Sequence, residues 1–135
     1  MEDWSQMFYG RINLLKIKLG STRRVFIFKT FVIKIPNTKE YRLFLYGLLA
    51  NTQEKVFSSL KRCDLAKVKF CDKLGLILIM EKTEEIEENI DWLKFKEDLE
   101  EKYKNDNMKE FMLSDAKPTN WGYIGNRLVK FDYGN

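Results

Sequence analysis

Histidine is absent from all 135 residues, so any chemistry must rest on carboxylates, amides and lysines. One stretch concentrates them: Leu113-Ser114-Asp115-Ala116-Lys117-Pro118-Thr119-Asn120 holds an acid, an ammonium and an amide. A short hairpin-like run separates it from a second acid in Phe131-Asp132-Tyr133-Gly134. Asp and Asn side chains are hard oxygen donors of the kind that suit Mg²⁺ or Mn²⁺. Far upstream, Lys34 lies in the apolar run Val32-Ile33-Lys34-Ile35. Strand alternation puts Lys34 and Val32 on one face and Ile33 and Ile35 on the other. Turn residues around Pro118 would give the same letters, and Lys34 also fits the solvent face of an edge strand, so neither segment by itself assigns a reaction.

The elements that must position these residues follow from periodicity. Arg11–Leu19, Arg23–Lys29 and Phe31–Ile35 are β-rich runs, broken at Gly20-Ser21-Thr22 and closed by Pro36, which predicts an antiparallel meander. Thr38 to about Leu60 is helical in composition with Thr38 as N-cap, and Gly47 and Asn51 suggest a split in two. Lys67–Cys71 and Leu74–Met80 read as two further strands. From Glu84 to about Asn105 the chain is acidic and helical, with Trp92, Phe95, Leu99 and Tyr103 forming one apolar stripe. Trp121–Ile124 and Leu128–Phe131 read as a hairpin turned at Gly125-Asn126.

In order and spacing these segments resemble the protein-kinase-like superfamily. Asp115 to Asn120 resembles the catalytic loop H-R-D-L-x-x-x-N, with Lys117-Pro118 where serine/threonine kinases commonly carry Lys-Pro. Asp132-Tyr133-Gly134 resembles the D-F-G metal motif, and Val32-Ile33-Lys34-Ile35 the V-A-I-K strand. The resemblance implies an α+β fold in a single domain. Its nucleotide lobe, about residues 11–81, would be a five-stranded antiparallel sheet with a helix insertion; residues of about 84–135 would form a reduced helical lobe with a catalytic β-hairpin. It implies ATP with Mg²⁺ or Mn²⁺ as cofactors. Asp115 would orient the acceptor hydroxyl, Lys117 steady the γ-phosphate, and Asn120 and Asp132 bind metal. Lys34 would reach the α- and β-phosphates while Val32 roofs the adenine.

That lysine needs a carboxylate partner on the following helix, and Glu54, twenty positions on, has a family-like separation. Asn51-Thr52-Gln53-Glu54 is equally a capping box, and Glu40 is the competing partner. The phosphate loop is the loosest match. With Val25 on the valine of G-x-G-x-x-G-x-V, the glycine positions hold Lys18, Gly20 and Arg23. Backbone amides of Gly20, Ser21 and Thr22 would then approach phosphate with Arg23 or Arg24 adding charge, and a plain β-turn has the same sequence. Leu78-Ile79-Met80-Glu81 resembles the strand-to-hinge passage, with Met80 as gatekeeper and Glu81 offering hinge backbone to adenine. Leu113 and Ser114 replace the catalytic-loop histidine and arginine, so control through an activation-loop phosphate is not expected. Only Asn135 follows Gly134, and the resemblance, from about Lys18 to Gly134, does not extend to a peptide-gripping subdomain.

The implied activity is phosphoryl transfer to a protein or to the chain itself, with serine/threonine specificity favoured. A catalytically inactive, pseudokinase-like module that binds or inhibits a partner protein is the alternative, and nucleotidyl transfer stays open. Charge is uneven: residues 1–72 carry 14 basic against 6 acidic side chains, and residues 73–110 carry 7 against 12. The basic half admits nucleic acid, with Phe26, Phe28 and Phe31 as stacking surfaces, but these aromatics fit a core better and nucleic acid is not the expected partner. Cys63 and Cys71 fit no Cys-x-x-Cys pattern and are expected to be small core residues. Apolar runs too short to span a bilayer and an N-terminus without a signal-peptide pattern lead to a cytoplasmic expectation with no membrane contact. A lobe cut beside its cleft is expected to expose apolar surface that a second copy could cover.

Overall fold

A computed structural model describes residues 14–87 and 89–134. Arg11 to Asn13, the start of the first expected strand, lie outside the described residues. The fold is α+β: β1 (Leu14–Leu19), β2 (Arg23–Phe28), β3 (Phe31–Pro36), β4 (Val68–Cys71) and β5 (Leu78–Glu81) form a five-stranded antiparallel sheet in the order β1-β2-β3-β5-β4. This is the expected five-stranded antiparallel sheet with a helix insertion. One helix, α1 (Tyr41–Ser58), is inserted between β3 and β4. Along β3, burial alternates: Val32, Lys34 and Pro36 are buried and Phe31, Ile33 and Ile35 partly so, as the period of two requires.

The α1 helix differs from its sequence expectation in three ways. Its N-cap is Glu40, not Thr38, because the Glu40 carboxylate accepts from the amides of Arg42 and Leu43 at 3.1 Å each. Gly47 and Asn51 do not split it. Both face the sheet together with Ala50 and Glu54, where a small residue and a hydrogen-bonding amide serve tertiary packing that outweighs helix propensity. A Cβ on Gly47 would lie 2.5 Å from the Thr22 carbonyl oxygen and 2.8 Å from Pro36 Cα, so glycine lets the helix close on the sheet. Asn51, as a mid-helix residue, starts no second helix and rules out the capping-box role for Asn51-Thr52-Gln53-Glu54. Its amide nitrogen donates to the Lys34 and Gly75 carbonyls at 3.0 and 2.8 Å.

The acidic segment is less helical than its composition suggests. Glu84–Glu85 is instead β6, paired with β7 (Trp121–Ile124), which pairs in turn with β8 (Arg127–Lys130) to form a second, three-stranded antiparallel sheet. Helix begins only at α2 (Trp92–Tyr103), capped by Asp91, and buries Phe95, Leu99 and Tyr103, while Trp92 stays half exposed. A five-residue helix, α3 (Lys109–Leu113), leads to Ser114 and a single 3₁₀ turn over Pro118–Asn120. One apolar cluster runs through both sheets, with Val32, Leu78 and Met80 from the first and Trp121 and Val129 from the second. Cys71 is half-buried but Cys63 is exposed, so only one of the two is near the core. No helix among the described residues is long and apolar enough to cross a membrane.

Polar contacts join the two sheets where α1 hands over to β4. The Lys130 amide donates to the Asp64 carbonyl and the Ala66 amide to the Lys130 carbonyl, at 2.8 and 2.9 Å. Arg62 bridges Asp64 and Asp106, and the Tyr103 hydroxyl donates to Asp64 at 2.8 Å. Burial and the Asp64 carboxylate together push the Tyr103 hydroxyl well above its usual pKa.

Candidate active site

Between the two sheets lies a cleft of about 950 Å³ whose walls come from most of the elements above. Val25, Ile27 and Val32 make its apolar side, Gly20 its end, and Glu81 to Glu85 the edge after β5. Lys34 enters from β3, and Thr119, Asn120, Phe131 and Asp132 close it from below. Three widely separated segments of sequence thus meet in one concave space. Asp115 does not line the cleft but is tied to it: Asn120 Nδ2 donates to the Asp115 carbonyl and to Asp115 Oδ2, at 2.8 and 3.1 Å.

The electrostatic centre is Glu54, fully buried on the inner face of α1. Lys34 Nζ donates to Glu54 Oε1 at 2.9 Å and to the Phe131 carbonyl at 2.6 Å. Glu40, occupied as a helix cap, makes no such contact. Arg23, only 6% exposed at the start of β2, forks onto the same carboxylate, Nη1 to Oε1 at 2.7 Å and Nη2 to Oε2 at 3.0 Å. The Tyr133 amide completes the shell, donating to Oε2 at 3.0 Å. It reaches Glu54 because Gly134 runs so close to the Ala50 backbone that a Cβ there would collide.

Burial alone would raise the Glu54 pKa, but Lys34 and Arg23 outweigh it and hold the carboxyl at about 2. Burial likewise lowers the Lys34 pKa, opposed by Glu54. A carboxyl whose pKa falls on folding stabilises the protein fully above its ordinary value of 4.5, and that contribution is lost as the pH drops through about 2. Urea titrations between pH 7 and 2 should therefore show the native protein losing its advantage over Glu54→Gln only below about pH 4.5. An unchanged difference down to pH 2.5 would contradict this charge assignment.

The remaining expected residues are placed as follows. Ser21 is exposed and off the cleft, while the Gly20 amide is engaged with the Arg23 carbonyl at 2.8 Å. The β1–β2 turn is thus closed on itself at that amide, which is not free for phosphate. Met80 is completely buried between Val32 and Val68 and does not reach the cleft surface. Glu81 lines the cleft, but its amide donates to the Lys67 carbonyl at 2.9 Å and its side chain accepts from the Lys67 amide. Lys117 is exposed, its ammonium 3.5 Å from Asp115 Oδ1. Asp115 itself has φ of +47°, a left-handed backbone unusual for a non-glycine residue. Phe26, Phe28 and Phe31 are partly buried, with Phe28 stacked on Phe31 at 4.7 Å.

Two site residues have roles that the letters do not give. Arg23, expected to add charge beside phosphate, points inward onto Glu54 instead. Lys130, 1% exposed, donates to the Phe111 and Ser114 carbonyls at 2.9 and 2.8 Å and to the Ser114 hydroxyl at 3.1 Å. It braces the backbone that runs from Phe111 through Ser114 into Asp115.

The donor set suits one hard cation beside a polyphosphate. Asn120 lines the cleft and spends its amide nitrogen on Asp115, and among the described residues Asp132 engages Oδ1 alone, with Arg23. Among the described residues no group of three or more Asp, Glu, Cys or His forms a self-sufficient metal cage. Mg²⁺ typically takes one or two protein oxygens and completes its shell with phosphate and water.

No family model and no curated protein matches the chain. Among solved structures, the ternary complex of APH(2")-IIa with streptomycin and ATP is similar over 97% of this chain and 69% of that one, at 14% identity and a TM-score of 0.43.

Proposed function

We propose that this chain is an ATP- and Mg²⁺-dependent phosphotransferase of the protein-kinase-like type, acting on a protein or on itself. The observation that carries this reading is the Lys34–Glu54 pair, 2.9 Å apart, in a cleft that also takes in Asn120 and Asp132. A lysine held by a helix carboxylate under a β-sheet roof is a pre-set receptor for phosphate oxygens. Glu54 does not touch the nucleotide; it keeps the Lys34 ammonium aimed at the cleft. Val25, Ile27 and Val32 offer an apolar face to the adenine. Asn120 Oδ1 and Asp132 Oδ2 would hold the cation, which supplies neutralisation of phosphate charge when bound. Asp115, at the exposed rim with Lys117 beside it, orients the acceptor hydroxyl and takes up its proton.

Labelled phosphate should pass from γ-labelled ATP to the protein or to a lysate component when Mg²⁺ or Mn²⁺ is present. Asp132→Ala should lower that transfer by about 10²–10³-fold, and Glu97→Ala, on the outer face of α2, should leave it unchanged. Absence of transfer by the native chain to any acceptor would refute the enzymatic reading.

One feature favours a second reading, a catalytically inactive module that binds a partner protein. Only Gly20 remains of the loop glycines, and Arg23 holds Asp132 at 2.9 Å. Thermal stabilisation by ATP with Mg²⁺ but no turnover would select it.

A further inference from the structure

Arg23 does something that the phosphotransferase reading does not require. Its guanidinium is buried at the head of β2 and is held from three sides. Besides the fork onto Glu54, Nη1 donates to Asn51 Oδ1 at 3.0 Å and Nη2 to Asp132 Oδ1 at 2.9 Å. Glu54 and Asn51 are completely buried and lie one turn apart on α1, so the guanidinium is anchored independently of Asp132. Asp132, by contrast, is 37% exposed. A rigid cation therefore faces a carboxylate at the cleft wall.

The charges balance within this group. Arg23 and Lys34 are two positive groups set against Glu54 and Asp132, so this group is neutral before any divalent cation arrives. A dication approaching Asp132 must share its carboxylate with a guanidinium that cannot retreat, and only one carboxylate oxygen stays open. A polyphosphate reverses this balance, because its negative charges meet both Lys34 and the incoming cation.

The geometry points to Arg23 as a positioning residue that neutralises Asp132, so that the cleft takes up divalent metal only weakly alone and strongly together with a nucleotide. This inference rests on the assignment of Asp132 as a metal-binding residue and adds an order of binding and the residue that enforces it. Arg23 fixes the Asp132 carboxylate in one orientation and sets the metal affinity through charge. The head of β2 is thus the site of a cation that gates the metal.

Titration of the purified protein with Mn²⁺ alone, followed by the electron paramagnetic resonance signal of the free ion, tests this. The native protein and Arg23→Lys, which keeps the charge, should bind Mn²⁺ weakly and alike. Arg23→Gln, which removes the charge and keeps a polar amide at the head of β2, should bind it at least about tenfold more tightly. Adding Asp132→Asn to Arg23→Gln should abolish the gain. A non-hydrolysable ATP analogue should tighten Mn²⁺ binding to the native protein by about a hundredfold or more and to Arg23→Gln by much less.

Equal Mn²⁺ affinity in the native protein, Arg23→Lys and Arg23→Gln, or a loss in Arg23→Gln alone, would overturn the role of Arg23. The native measurement stands even if Arg23→Gln fails to fold: micromolar Mn²⁺ binding without nucleotide would overturn it too. If Asp132→Asn changes Mn²⁺ affinity in no background, with or without the analogue, the metal site itself is misassigned. That outcome differs from one in which Asp132 matters and Arg23 does not.

Discussion

Glu54→Ala is expected to destabilise the protein by about 3–5 kcal/mol, because it strands two buried cations at once. Lys34 and Arg23 lose their shared carboxylate, and the Tyr133 amide loses its acceptor. Breaking one member of a buried ionic group costs far more than an exposed pair is worth, since the partners left behind are no longer hydrated. For a chain of this size the loss corresponds to a fall in Tm of roughly 10–20 °C. Glu54→Gln, which keeps the shape and some of the hydrogen bonds, should cost less. Thermal melts of both variants against Glu97→Ala check this, and a Glu54→Ala melt within 2 °C of the native value would mean that the ionic cluster is not formed.

Lys34→Met separates catalysis from stability. Glu54 retains Arg23 and the Tyr133 amide after that change, so no buried carboxylate is abandoned. The phosphate-facing ammonium is nevertheless gone, and loss of one positioned charge at a developing anion slows such reactions by about 10²–10³-fold. Turnover assays alongside melts should therefore show a large fall in kcat with a small change in Tm. Similar losses in Lys34→Met and in a surface lysine change such as Lys94→Met would remove Lys34 from the chemistry.

The site's backbone could be read from the sequence where function and local pattern coincide. Alternation along Val32-Ile33-Lys34-Ile35 foretold the shared face of Val32 and Lys34, and a two-residue turn at Gly125-Asn126 foretold the β7–β8 hairpin. Long-range pairing was harder. Nothing local in Glu84-Glu85 announces Gly122 and Tyr123 as partners, so an acidic run resembling helix proved to begin as a strand. Gly47 and Asn51 look like helix breakers until the sheet is placed against them.

The same limit applies to the inward roles of Arg23 and Lys130. Arg23 carried a usable signal: two positions before Val25 on one strand, it shares the face that looks across to Lys34. Only its alignment with a loop glycine drew attention outward. Lys130 carried none, because its partners are mostly backbone carbonyls, which leave no trace in the identity of the residues that own them. Burial lowers its pKa, with Asp115 and Asp132 opposing the shift at longer range.

Diffraction from crystals grown with a non-hydrolysable ATP analogue and Mn²⁺ would test the central claim most directly, through the anomalous signal of the ion. The expected peak lies between Asn120 and Asp132, about 2.0–2.3 Å from one oxygen of each, with the phosphates against Lys34 and the base under Val32. Nucleotide density elsewhere on the surface, or a manganese peak bound to neither side chain, would contradict it.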